Sequence, residues 1–264
     1  MRNRTDPAHL SLVDDYRRGD DRFMRSDQRA RTPMFVDEAE TGLVLSGLRR
    51  YNLFTTVFFL GRQSLLLREL ADRSGVRPGQ DALDIGCGPG KLVRVLGRRV
   101  GQGGTATGVD PSDEAIAHNR RRDSRHRYIR STAQELALPD AAFDVVTCTF
   151  VMHHIPEQHR GAALAEMWRV LKPGGRILLA DAYLSERFRR ASAMTQRLRR
   201  RKPGDPAAAV DVRRYAATLR ELGFTAPEFV ASGHRTAMLL ATKPAGAFEP
   251  GQVRADPPRG EHSQ

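Results

Sequence analysis

The stretch LDIGCGPGKL, residues 83–92, constrains this chain more than any other. An apolar strand runs straight into Gly86, Gly88 and Gly90, and helical periodicity follows. Glycines at such a junction let the main chain turn sharply and approach a ligand at the carboxyl end of a strand. A dinucleotide fingerprint, G-x-G-x-x-G, would need its third glycine at position 91, which is Lys91. A G-x-x-x-x-G-K-[ST] phosphate loop is absent as well. Asp84, two residues before the first glycine, would repel a pyrophosphate but suits a ligand carrying an ammonium and a sulfonium. Asp110 closes the next strand in TGVDPS, about twenty residues on, where an acid can accept both ribose hydroxyls. Its alternative role is a carboxylate at the start of the following helix. Together these residues describe a cationic, phosphate-free cofactor containing adenosine.

Around this loop, short apolar strands alternate with amphipathic helices. Strands are predicted at Ala82–Ile85, Ala106–Val109, Tyr128–Arg130, Phe143–Thr149 and Arg176–Ala180, with helices at Lys91–Val100, Asp113–Arg121 and Gln158–Val170. A helix over Leu65–Arg73 stops at Gly75, and another, Val212–Leu222, stops at Gly223. Glu228–Ala231 and Thr236–Thr242 then read as an antiparallel pair. The expected fold is α/β: a doubly wound, seven-stranded, mostly parallel sheet with an antiparallel final strand. Residues 1–42 read as a basic, flexible extension, 43–75 as helical lid elements, 76–244 as the ligand-binding domain and 245–264 as a disordered tail.

With 40% hydrophobic and 28% charged residues over 264 positions, the composition is that of a globular chain. The longest uncharged run, 145–156, falls short of the roughly 20 apolar residues of a membrane span. The start, MRNRTDPAHL, has no apolar signal core, and two cysteines form neither a disulfide framework nor a metal cluster, so a cytoplasmic home is expected. The net charge is +12, yet only four of the 43 basic residues are lysines, an imbalance that a coding bias toward arginine also produces. Residues 187–202 hold eight basic residues and no acid; an acidic acceptor, an anionic membrane surface and plain solvation compete to explain them.

In order and spacing, LDIGCGPG, GVDPS, ALPDAAFDVV, FVMHHIP and LKPGGRILLAD resemble the class I S-adenosylmethionine-dependent methyltransferases, whose fold is Rossmann-like. The resemblance implies S-adenosyl-L-methionine as cofactor. It places Asp84, Gly86, Cys87, Gly88 and Gly90 around the methionine part, and Asp110 with Pro111 at the ribose. Thr132 and Ala133 would frame the adenine, and Thr149 and Phe150 would close over the methionine side. Where many relatives carry Gly-Asp-Ala-Glu, this chain has Ser131-Thr132-Ala133-Gln134, which leaves the adenine amino group without a charged acceptor.

His153 and His154 follow the fourth strand and are candidates for a catalytic base; capping the next turn is their structural alternative. Asp181 could orient the acceptor or start a turn, and Tyr51 and Phe58 belong to an apolar cluster able to cover a small acceptor. Methyltransferases acting on exocyclic amines of DNA bases typically carry [Asp/Asn]-Pro-Pro-[Tyr/Phe] after the fourth strand. Here the sequence is Thr149-Phe150-Val151-Met152-His153-His154, which weighs against nucleic acid. YNLF…GR…GVRPG is similar to the quinone-ring C-methyltransferases, but that branch has Arg-Asn at 153–154, so the quinone is not carried over. The expected acceptor is a small apolar or aromatic metabolite. A nucleic-acid-modifying enzyme and a non-catalytic cofactor-binding protein are the alternatives.

Overall fold

The computed structural model describes residues 33–58, 61–183 and 210–246, with the main chain only at Phe54 and Phe58. A hairpin of β1 (Phe35–Glu38) and β2 (Gly42–Leu45) leads into α1 (Leu48–Phe58) and α2 (Gln63–Ser74). The main unit follows: β3 (Asp81–Ile85), α3 (Lys91–Val100), β4 (Thr105–Asp110), α4 (Asp113–Arg122), β5 (Arg127–Arg130), β6 (Phe143–Thr149), α5 (Arg160–Val170) and β7 (Leu171–Ala182). Helix α6 (Ala216–Glu221) precedes β8 (Glu228–Ser232) and β9 (Thr236–Thr242).

Seven strands form one sheet in the order β5-β4-β3-β6-β7-β9-β8. The first five pair in parallel, and β9 runs antiparallel between β7 and β8. Both faces are covered, so successive strand residues feed opposite cores. Ile177 and Leu179 pack with Leu164, Met167 and Leu219, toward α5 and α6. Their neighbours Leu178 and Ala180 pack with Leu66, Leu70, Val93 and Leu96, toward α2 and α3. The strand order reverses between β3 and β6, and the crevice at their carboxyl ends is where such sheets take ligands.

Most sequence expectations stand within a residue or two; four differ for physical reasons. Strand β7 begins at Leu171 instead of Arg176, because Leu171 pairs with Phe143 across a bulge before the regular ladder resumes at Val145 and Arg176. The Gln158–Val170 helix starts as a tight turn, Glu157–His159, before α5. Val212–Leu222 divides likewise: a tight turn over Val212–Tyr215, capped by the Asp211 carboxylate, precedes α6. Finally, Phe35–Glu38, inside the expected flexible extension, pairs with Gly42–Leu45. Its acids Asp37 and Glu38 sit on exposed positions, which hides the strand from a hydrophobic-pattern reading. Residues 1–32, the basic run 187–202 and the tail from 247 lie outside the described residues.

Candidate active site

The site grows from the end of β3. Gly86, Gly88 and Gly90 all adopt the left-handed region, with φ of 68°, 47° and 68°. Gly86 has no room for a side chain: a Cβ there would lie 2.1 Å from Val151. Gly88 instead faces open space, with no heavy atom nearer than 4.0 Å to such a Cβ, so its bare surface is one wall of a cleft. Gly90 serves the turn and the start of α3, and it lines neither cavity described below.

Two buried carboxylates flank the loop. Asp110 accepts from the amides of Gly88, at 2.8 Å on Oδ2, and Ser112, at 2.9 Å on Oδ1. A carboxylate has about four acceptor positions, so each oxygen keeps capacity for a hydroxyl in the cleft. Asp84, 2% exposed, receives the Thr147 hydroxyl at 2.8 Å on Oδ1. Burial, with the Asp110 charge adding to it, pushes Asp84 up to about 7. Burial also raises Asp110, against the pull of its two amide donors. Two acids held in a low-dielectric crevice favour a cationic ligand, whose charge would offset the cost of ionising them. Tyr51 is held neutral by burial and by both acids, its phenol pushed up to about 12, so its hydroxyl stays a donor. The Cys87 thiol is also raised by burial and stays protonated.

Two adjoining cavities meet at Gly86. One, of about 70 Å3, is lined by Gly88, Asp110, Pro111, Ala133, Thr149 and Phe150. The other, of about 330 Å3, is lined by Asp84, Cys87, Tyr51, His153, Asp181 and by Leu66 of α2. Phe35, Tyr51, Phe150 and His154 border both. Phe150 holds this position with a main-chain φ of 60°, a conformation that non-glycine residues adopt only under constraint. Its amide is anchored to the Ala180 carbonyl at 2.8 Å.

The adjacent histidines part company. His153 Nδ1 lies 2.6 Å from Asp181 Oδ2, while Asp181 Oδ1 accepts the Ala182 amide at 2.7 Å. A carboxylate can only accept, so Nδ1 is the donor of this contact. His154 stacks against Phe35 with ring centroids 4.8 Å apart, and its Nδ1 is buried without a partner. Burial and the neighbouring His153 push it down to about 3, so the ring is uncharged near neutrality. Of the two expected histidines, His153 is the one paired with a carboxylate.

The hairpin covers the smaller cavity with Phe35, Thr41, Leu43 and Leu45, a cover that sequence reasoning missed. The Leu43 amide donates to the His154 carbonyl at 3.1 Å, and Gln134 Nε2 donates to the Glu40 carbonyl at 2.7 Å. Only glycine fits at position 42: its φ is 86°, and a Cβ would meet the His154 oxygen at 2.1 Å. Thr132 lines neither cavity, whereas Ser131, Ala133 and Gln134 do line the smaller one. Phe58 ends α1, and its side chain lies outside the description.

The sheet order, the bent glycine loop and the buried acids at the ends of the first two parallel strands give a Rossmann-like fold with a ligand crevice at its switch point. Residues 83–179 match the family described as a methyltransferase domain. The ubiquinone/menaquinone biosynthesis C-methyltransferase UbiE of Psychromonas ingrahamii is 34% identical over 146 residues, covering 53% of this chain and 57% of that enzyme. The chain thus spans little more than half the length of the curated relatives it matches. An S-adenosylmethionine-dependent methyltransferase from Aquifex aeolicus shares the fold with a TM-score of 0.56 at 20% identity, over 74% of this chain and 96% of its own. The [4+2]-cyclase SpnF does so with 0.51 at 21% identity, over 69% of this chain and 80% of its own, so the fold does not fix the reaction. Over residues 83–179 the chain is similar to the class I S-adenosylmethionine-dependent methyltransferases, the quinone C-methyltransferase branch among them.

Proposed function

We propose that this protein transfers a methyl group from S-adenosylmethionine to a small acceptor with an apolar body, with His153 receiving the acceptor's proton. The residues fit the cofactor: Asp110 and Pro111 suit the ribose, the open face of Gly88 suits close approach, and Asp84 suits the ammonium. When bound, it supplies an electrophilic methyl on a cationic sulfur.

The carrying observation is the 2.6 Å contact between His153 and Asp181 at the wall of the larger cavity. With the cofactor bound, the acceptor atom would take its methyl and leave the bonding pair on sulfur, while His153 Nε2 would receive the acceptor's proton. Asp181 stabilises the imidazolium so formed. Phe35, Leu66, Leu67 and Phe150 surround the acceptor with apolar surface and exclude water. Such walls accommodate a ring, as the quinone in the relatives' name would require, while His153-His154 in place of Arg-Asn supports a different means of proton removal.

The test is the formation of S-adenosylhomocysteine over a panel of phenols, quinols and neutral aromatics. Phenol- or quinol-dependent turnover that Asp181→Asn lowers about 100-fold, with cofactor affinity unchanged, is expected. Turnover indifferent to both His153 and Asp181 would remove the base.

A further inference from the structure

Beside the larger cavity, between α2 and α3, lies a second groove of about 200 Å3 that the reaction as described does not use. Its lining includes Arg68, Lys91, Arg94 and Arg98, and none of its lining residues is acidic. Leu67 and Lys91 border both spaces, so the groove opens on the rim of the cavity.

The local acids are engaged elsewhere. Glu69 accepts the Ser232 hydroxyl at 2.6 Å and lies 3.8 Å from His234, while Asp72 pairs with Arg99 at 2.5 Å. Lys91 Nζ reaches only a neutral partner, the Gln63 amide oxygen at 2.7 Å. Burial and the nearby Arg94 charge depress its pKa, the signature of a cation without a counter-charge. Arg94 donates through Nη2 to the Pro89 carbonyl at 3.0 Å, and its Nη1 is buried with no partner. Four cations line the groove with no acid among its described lining residues, and a bound oxyanion would offset their mutual repulsion.

We propose that the groove formed by Arg68, Lys91, Arg94 and Arg98 is an oxyanion site that holds a carboxylate or phosphate of the methyl acceptor while its apolar body occupies the adjoining cavity. The acceptor is then an anionic amphiphile, a narrower class than apolar metabolites at large. This assignment rests on the methyltransferase reading above for the word acceptor; the anion site itself rests only on the groove.

The experiment is calorimetry on the full chain saturated with S-adenosylhomocysteine, titrated with 2-naphthoate and with its neutral counterpart 2-naphthamide. Naphthoate is expected to bind at least tenfold more tightly. Arg68→Gln with Arg98→Gln should abolish that preference and leave S-adenosylhomocysteine affinity unchanged, whereas Arg68→Lys with Arg98→Lys should retain most of it. Equal binding of the two probes, or no binding of either, overturns the proposal. So does a tenfold loss of S-adenosylhomocysteine affinity in the glutamine variant, since the cations would then serve the cofactor's own carboxylate. Cosedimentation with phosphatidylglycerol vesicles that requires Arg68 and Arg98, without a naphthoate preference, assigns the groove to a lipid headgroup and also overturns it. Repeating the naphthoate titration without S-adenosylhomocysteine separates failure of this site from failure of the methyltransferase reading.

Discussion

The floor and the cover of one crevice are built in opposite ways. The floor is local: Asp84, the glycine loop and Asp110 sit at the ends of β3 and β4, and each is fixed by sheet hydrogen bonds and buried packing. The cover is long-range: Leu43 reaches His154 and Gln134 reaches Glu40, while β1 keeps three of its four residues exposed. A floor set into the core has the stability of the whole fold. A cover held by a few edge contacts opens at much lower free energy. The crevice thus rests on the rigid half, and the half that covers it is the one held more weakly.

Substitutions on the two sides should therefore fail differently. The largest effect is expected at the proposed base: His153→Ala should lower turnover by about 100-fold or more, on the order of 3 kcal/mol, without changing S-adenosylhomocysteine affinity. Steady-state kinetics beside calorimetry checks this, and a parallel loss of binding would mean that the base and the cofactor floor are not separable.

Next comes Asp84. Its pKa, about 7 when folded against an ordinary 3.8, means the native state holds a proton more tightly than the unfolded chain. Stability from this group is therefore full below about pH 4 and is lost as pH rises through 7. Asp84→Asn should raise the melting temperature of ligand-free protein at pH 8 but hardly at pH 5, a difference on the order of 2–4 kcal/mol. The same change should weaken cofactor binding. A melting temperature lowered equally at both pH values would contradict the assignment.

Asp110→Ala removes the acceptor proposed for the ribose and should weaken S-adenosylhomocysteine binding by about 1.5–3 kcal/mol. The smallest effect is expected on the cover. Gly42→Ala places a side chain at φ 86° against the His154 carbonyl and should cost about 1 kcal/mol of local stability. Hydrogen exchange at the Leu43 amide should speed up several-fold while the amides of β3 stay protected. Simultaneous loss of protection in both would show that floor and cover unfold together.

The same division explains what could be read in advance. Strand–helix alternation and glycine spacing encode the floor locally, so β6, α3 and β9 fall at the expected residues and Asp84 and Asp110 lie at the crevice. The hairpin was hidden because its inward residues, Phe35, Val44 and Leu45, are separated by acids that face solvent. The two histidines are identical in sequence terms; only the Asp181 carboxylate, 28 residues away, and the enclosure by Phe35 tell them apart. Thr132 matched a motif position but lines neither cavity, whereas its neighbours Ser131, Ala133 and Gln134 line the smaller one.

The hydrogen bond from Leu43 to the His154 carbonyl ties the flap to the segment that carries His153. Asp181 holds that imidazole from the sheet, whether or not the flap is seated. With His153 as the proposed proton acceptor, seating the flap would add enclosure alone: the methyl donor and an already oriented partner would be shut away together from bulk water.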